Sequence, residues 1–215
     1  MRSTPHSTDA VNPPSGAARG GAPFGRALSW LLLVGGLVGL GASFVLTVEK
    51  FTLAANPDYI PTCSLNPVLN CGSIMSTPQA AVFGFPNSLL GIAGFSVVAA
   101  TGAALLAGAR LARWYWLSLQ VGVTAAAAFV HWLIIQSLYE IGALCPYCMI
   151  VWAVTVPVFW YVTLRNITYG AFIVRPRSAE QVSAAGLHLL PITVWFLIVA
   201  ALVIHRFFSY WSGLI

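Results

Sequence analysis

The sequence predicts an all-α integral membrane protein, a bundle of four transmembrane helices followed by a fifth transmembrane helix. Three observations predict it. Of 215 residues, 59% are hydrophobic and only 7% charged, with a mean hydropathy of +0.84, well outside the range of soluble globular domains. The apolar residues gather into five runs, each close to the roughly 20 residues needed to cross about 30 Å of hydrocarbon. The net charge of +5 comes from basic residues that stand singly or in loose pairs near the ends of those runs. With no basic stripe, charge reports topology rather than a nucleic-acid partner. A second soluble domain does not fit this length.

Residues 1–25 are rich in Pro, Gly, Ser and Ala without apolar periodicity, so a disordered cytoplasmic tail is expected. The run from Ala27 to Val48 is longer than a signal-peptide core and ends without an Ala-x-Ala cleavage pattern, so it should persist as a spanning helix. Residues 49–86 turn polar, with Pro57, Pro61, Pro67, Pro78 and Pro86. They read as an extramembrane loop with a short helix near Pro67 to Ala81. The second span runs from Asn87 to about Ala109, and the third from Trp114 to about Leu138. The fourth opens at Cys145-Pro146-Tyr147-Cys148 and continues to about Leu164, closing a four-helix domain over 26–165. A cytoplasmic linker over 166–186 leads to the fifth span, Leu187 to Ile204, and a short outer tail within 187–215.

A cytoplasmic N-terminus puts the arginines at 2, 19, 26, 110, 113, 165, 175 and 177 inside and only Lys50 and Arg206 outside, as the positive-inside rule requires. Cys63 and Cys71 in the first loop, and Cys145 and Cys148 at the fourth span, then all lie at the outer face, where disulfides persist. A Cys-x-x-Cys pair at a helix start is also where unpaired backbone amides and the positive helix end favour a thiolate. Pro146 suits the first turn, since its missing N–H has no intrahelical partner to lose there. Two pairs facing one compartment are the requirement for a relay through a mixed disulfide. The same four cysteines are compatible with two static disulfides or with a Cys₄ zinc site. Cys-Pro-Tyr-Cys alone is also a glutaredoxin motif, but that fold needs a βαβ context.

The order Cys63-x7-Cys71, Ser76-Thr77, Phe85-Pro86-Asn87-Ser88-Leu89-Leu90-Gly91, Cys145-x-x-Cys148 resembles the bacterial vitamin K epoxide reductase (VKOR) family over about Leu28 to Leu164. DsbB-type enzymes carry the two pairs in the opposite order. The resemblance implies a four-helix bundle of VKOR type around a membrane quinone, menaquinone or ubiquinone, capped by the loop that bears the first pair. It implies that Cys148 faces the quinone and donates electrons, that Cys145 exchanges with Cys71, and that Cys63 and Cys71 oxidise an external dithiol. Asn87 matches a family asparagine that hydrogen-bonds a quinone carbonyl; by position it also suits a helix N-cap. Thr77 or Ser76 corresponds to a loop hydroxyl supporting the cap, or makes a simple turn bond. Trp152 stands where many members have a tyrosine contacting the quinone. Many bacterial members continue into a fused thioredoxin-like domain, whereas this sequence ends at Ile215 with no fifth and sixth cysteine. The expected electron donor is therefore a separate extracytoplasmic DsbA-like or thioredoxin-like protein. Expected location is the inner (plasma) membrane, in the bilayer with its quinone pool.

Among the other polar residues, His131 is expected in an interhelical hydrogen bond or a proton path, Glu140 as a solvated turn carboxylate, and His205 and Arg206 as interface anchors. The expected reaction generates disulfides at the expense of quinone. Reduction of a quinone epoxide on the same scaffold is a second reading, and a membrane transporter or assembly subunit with structural disulfides a third.

Overall fold

The computed structural model describes residues 25–168 and 187–212. The expected tail lies outside the described residues except for Gly25, and the expected linker lies outside them except for 166–168, which are helical. Among the described residues, four helices are long and apolar enough to cross a membrane: α1 (Gly25–Ala55), α3 (Asn87–Leu106), α4 (Arg113–Ile135) with its continuation to Ile141, and α5 (Pro146–Thr168). Short α2 (Cys71–Met75) and a 3-10 turn (Pro78–Ala81) occupy the first loop. A shorter apolar helix, α6 (Leu190–Arg206), follows a turn at Leu187–Leu189 and leads into α7 (Phe208–Ser212).

Two boundaries differ from expectation for physical reasons. α1 runs to Ala55, about two turns beyond Val48, because the polar change at Glu49-Lys50 marks a loss of hydropathy while Phe51-Thr52-Leu53-Ala54-Ala55 still accepts helical geometry. The helix expected over 67–81 is two pieces. α2 stops at Met75, and Thr77 is extended (ψ 153°) ahead of Pro78, the conformation a following proline imposes. At the other end of the bundle, α3 closes on Gly108 at φ 87°. The amides of Gly108 and Ala109 return to the carbonyls of Leu105 and Ala104, the Schellman arrangement that only glycine enters freely.

α1 packs intimately on α3. Gly36 lies against the backbone of Ala99, Gly39 against the Phe95 ring, Gly91 against Ser43 and Gly102 against the backbone of Leu33. A Cβ at any of these would overlap its neighbour. Membrane helices, which gain nothing by hiding apolar surface from lipid, associate through such small-residue contacts. α5 packs on α1 and on α4, but α3 and α4 are not packed against each other to any comparable extent. The bundle is consequently open along one seam.

At the end where α3 finishes and α4 begins, Asn166 is fully buried and donates to the Trp116 backbone carbonyl and the Gln120 side-chain Oε1, while Arg165 lies 3.4 Å over the Trp116 ring. The four cysteines are gathered at the opposite end.

Candidate thiol and quinone site

Residues 56–70 form a compact loop held by its own side chains. The Asn66 side chain accepts the amides of Val68 and Leu69, and the Leu69 carbonyl accepts those of Leu65 and Asn66. Asn70 caps α2, accepting from the Ser73 amide and the Ser64 hydroxyl. Cys63 and Cys71 are disulfide-bonded, their Cα atoms 5.6 Å apart. The loop is tied to α1 by Glu49, a buried carboxylate whose Oε1 accepts from the Thr62 hydroxyl at 2.5 Å. Lys50 donates from Nζ to the Met75 carbonyl. Glu49 also interacts with Tyr59; that hydrogen bond, then partial burial and the negative charge, pushes the phenol above its ordinary range.

The second pair arrives from the other direction. α4 relaxes into a π turn over Gln136–Ile141, and Gly142 reverses the chain at φ 70°. Leu144 then pairs with the loop: its amide donates to the Val68 carbonyl at 2.7 Å and its carbonyl accepts the Asn70 amide at 2.9 Å, a single parallel bridge between Leu69 and Leu144. Cys71 and Cys145 follow that bridge, and their sulfurs are 3.1 Å apart. Both are almost completely buried, with Met75, Ile74 and Leu46 around them.

Cys145 stands immediately before α5 and fills its N-cap. The Cys145 carbonyl accepts the Met149 amide, and Sγ accepts the Cys148 amide at 3.4 Å, the bond a capping side chain makes to the third helical residue. The Cys148 thiol's hydrogen bond lowers the Cys145 pKa most. Burial opposes it, and the amides of Cys148 and Tyr147 help. The net direction is down, toward the thiolate that acts as nucleophile.

Cys145 and Cys148 are free thiols, and Cys148 is half-buried. It lines a cavity of about 940 Å³ in the open seam between α3 and α4. The wall is overwhelmingly apolar, with Gly94, Gly122, Ala125, Ala126 and Phe129 along its length. Polar groups gather at the cysteine end, where Lys50, Gln79, Asn87, Gln136 and Ser137 join Cys148. A long apolar slot with a few converging donors at one end matches a quinone, whose ring oxygens accept hydrogen bonds and whose tail is hydrocarbon.

The residues singled out in the sequence fall as follows. Cys63, Cys71 and Cys145 form one sulfur cluster within 4.8 Å, and Cys148 adjoins both that cluster and the cavity. Two of the three clustered sulfurs are bonded to each other and cannot offer thiolates to zinc, so the arrangement suits exchange. Asn87 lines the cavity but is not an N-cap. Pro86 holds that position, and the Asn87 side chain reaches back into the loop, donating to the Gln79 carbonyl at 2.7 Å and accepting the Val82 amide at 3.1 Å. One of its two amide hydrogens is thereby committed. Trp152, one turn along α5 from Cys148, is buried and lines the same cavity. Ser76 and Thr77 bond to carbonyls of their own turn, Gly72 and Ile74.

His131 does not line the cavity. Its Nδ1 lies 2.7 Å from the Ala127 carbonyl, and its Nε2 accepts the Trp195 indole at 2.8 Å, so it joins α4 to α6. Four polar residues of the cavity end, Lys50, Gln79, Gln136 and Ser137, were not singled out as site residues by sequence reasoning. Lys50 reads as a topology marker when only span ends are considered, although a cation at the end of an apolar run beside the first cysteine loop was the available signal. Gln79 and Gln136, whose side-chain amides are 3.4 Å apart, carry no such mark.

A search of curated proteins returned no match. The family model for the vitamin K epoxide reductase family matches residues 30–163, which include all four cysteines, Asn87 and Trp152. With four long apolar helices, one shorter one and that match across more than half its length, this multi-pass membrane chain belongs to the vitamin K epoxide reductase family, a family of oxidoreductases linked to quinones.

Proposed function

We propose that the protein passes electrons from an extracytoplasmic dithiol protein, DsbA-like or thioredoxin-like, through Cys63–Cys71 and then Cys145–Cys148 to a membrane quinone, generating disulfides outside the cytoplasm. The observation that carries this reading is the 3.1 Å approach of the Cys71 and Cys145 sulfurs, with Cys148 on the wall of the apolar cavity. One end of the relay is therefore within exchange distance of the other, and the second pair borders a site for a lipid-soluble acceptor.

The conformation has the first pair oxidised and the second reduced. From there the Cys145 and Cys148 thiols give up two electrons and two protons and join as a disulfide. A quinone bound beside Cys148 takes up those electrons and protons. The external dithiol reduces Cys63–Cys71 by exchange and leaves as a disulfide. The Cys71 thiolate then attacks Cys145, releasing Cys148 as a thiolate. Cys63 attacks Cys71 in turn, which restores the first disulfide and frees Cys145. The sum is two thiols and one quinone giving one disulfide and one hydroquinone.

Asn87 supports the quinone end: its remaining N–H is a fixed donor able to stabilise charge arriving on a ring oxygen. Trp152 closes the cavity wall one turn from Cys148. The arginine distribution supports an inward N-terminus with the cysteines at the outer face of the plasma membrane.

The test is purified protein with a soluble quinone and a reduced DsbA-like protein. Quinone reduction should be lost in Cys145→Ala and Cys148→Ala. Cys63→Ala should lose oxidation of the protein dithiol yet still reduce quinone when a small dithiol is supplied. Undiminished quinone-dependent thiol oxidation in Cys148→Ala would refute the reading.

A further inference from the structure

The segment that presents Cys145 has little regular structure to fix it. α4 widens into the π turn, Gly142 reverses the chain, and only Ala143 and Leu144 separate that reversal from Cys145. Support comes from the far end of the chain. Arg206, the last residue of α6, donates from Nε to the Leu138 carbonyl at 2.7 Å. Its Nη2 lies beside Gly142, 3.8 Å from where a Cβ would stand. The next residue, Phe207, is buried in a cluster with Val68, Leu138, Leu144 and Trp152, and so bears on both strands of the bridge that aligns Cys71 with Cys145. The Trp195 bond to His131 holds the same helix to α4.

The chemistry of the contact is specific. The last carbonyls of a helix lack amide partners, and the negative helix end favours a cation that donates to them. A guanidinium keeps its donors in a rigid planar fork, whereas an ammonium on a flexible stem does not. Leu138, whose carbonyl Arg206 takes, is itself fully buried, so the bond fixes a point inside the core from which the chain departs toward Cys145. Reacting atoms must be held to within a fraction of an ångström for exchange to be fast.

We propose that Arg206 is a positioning residue for thiol–disulfide exchange: by capping the carbonyl end of α4 it holds the 142–145 turn and keeps the Cys145 sulfur within reach of Cys71. The proposal rests on the reading that these two pairs exchange. The device lies beyond the segment matched by the family, 30–163, and makes the fifth helix part of the reaction apparatus rather than an added anchor. The step it serves forms the Cys71–Cys145 bond and breaks Cys145–Cys148, with Cys148 leaving as a thiolate and no net change in electrons.

The test uses the full chain in lipid nanodiscs with Cys63→Ser and Cys148→Ser, so that Cys71 and Cys145 are the only thiols. Equilibration against known ratios of reduced and oxidised glutathione gives the effective concentration of one thiol toward the other. Arg206→Ala should lower it by about tenfold or more, and Arg206→Lys by less, as expected for loosening near-attack geometry. The same substitutions placed on Cys145→Ser, Cys148→Ser should leave the Cys63–Cys71 equilibrium unchanged. Equal effective concentrations in the parent and both Arg206 variants would overturn the proposal, and so would a parallel fall in both equilibria, which would make Arg206 a general stability residue. No quinone enters this measurement, so failure of the quinone reading would appear separately, in the turnover assay of the unsubstituted protein.

Discussion

The sulfurs of Cys71 and Cys145 meet at 3.1 Å although 74 positions separate them in the chain. A helix start from one side and a self-bonded loop from the other are brought into register by two backbone hydrogen bonds at Leu144. The contact is almost completely buried.

Cys145 should titrate below an ordinary thiol, and chiefly because of Cys148. Removing that thiol in Cys148→Ala is expected to move the pH dependence of Cys145 alkylation upward, measured by mass spectrometry of the 145-containing peptide. The sign for stability follows from the lowered value. The ionised form is favoured by folding, so its contribution is complete above the ordinary thiol pKa and is lost as pH falls through the folded value. An unmoved alkylation profile in Cys148→Ala would count against the assigned cause.

Asn87→Asp keeps the acceptor for the Val82 amide and removes the donor to Gln79 and to the cavity. Turnover with quinone should fall by about 10²-fold, the scale of losing one preorganised donor. Exchange within the Cys71–Cys145 pair should persist, so glutathione equilibration separates loss of the quinone contact from collapse of the loop.

Two glycines on consecutive helices, α3 and α4, should respond oppositely. Gly102→Ala thrusts a methyl into the Leu33 backbone, and overpacking of this kind costs about 1–3 kcal/mol. Gly122 has open space where its Cβ would stand and lines the cavity, so Gly122→Ala should be tolerated and gain helix propensity of up to about 1 kcal/mol. Gly122→Phe should raise the quinone KM without loss of fold. Thermal melts in detergent, together with quinone titrations, check all three.

Glu49→Ala removes the acceptor of the Thr62 hydroxyl next to Cys63. Stranding a partly buried donor costs about 1–3 kcal/mol, concentrated in the loop. Hydrogen exchange of residues 56–64 should accelerate while α3 and α4 are unaffected. Loss of protection throughout the bundle would contradict a local role.

How far the sequence reached depends on which force shaped each feature. The spans over α3, α4 and α5, the Cys-x-x-Cys at a helix start and the gathering of all four cysteines at one end were legible, because hydropathy, proline and glycine act within a few residues of where they stand. The end of α1 was misjudged where a polar run was equated with loop, and the helix expected near Pro67 to Ala81 is broken in two ahead of Pro78. Asn87 as an N-cap failed because a nearby loop offered its side chain better partners than the helix did.

By itself the sequence determined that the chain crosses a membrane several times and that its four cysteines gather at one end; the cost of an unsatisfied backbone in hydrocarbon leaves few alternatives. Tertiary structure alone decided that α3 and α4 part to form a cavity, that Leu144 registers Cys145 on Cys71, and that Arg206 returns to cap α4. Helices that are apolar on nearly every side look the same whether they face lipid or each other, so their sequence states that they are buried without stating against what.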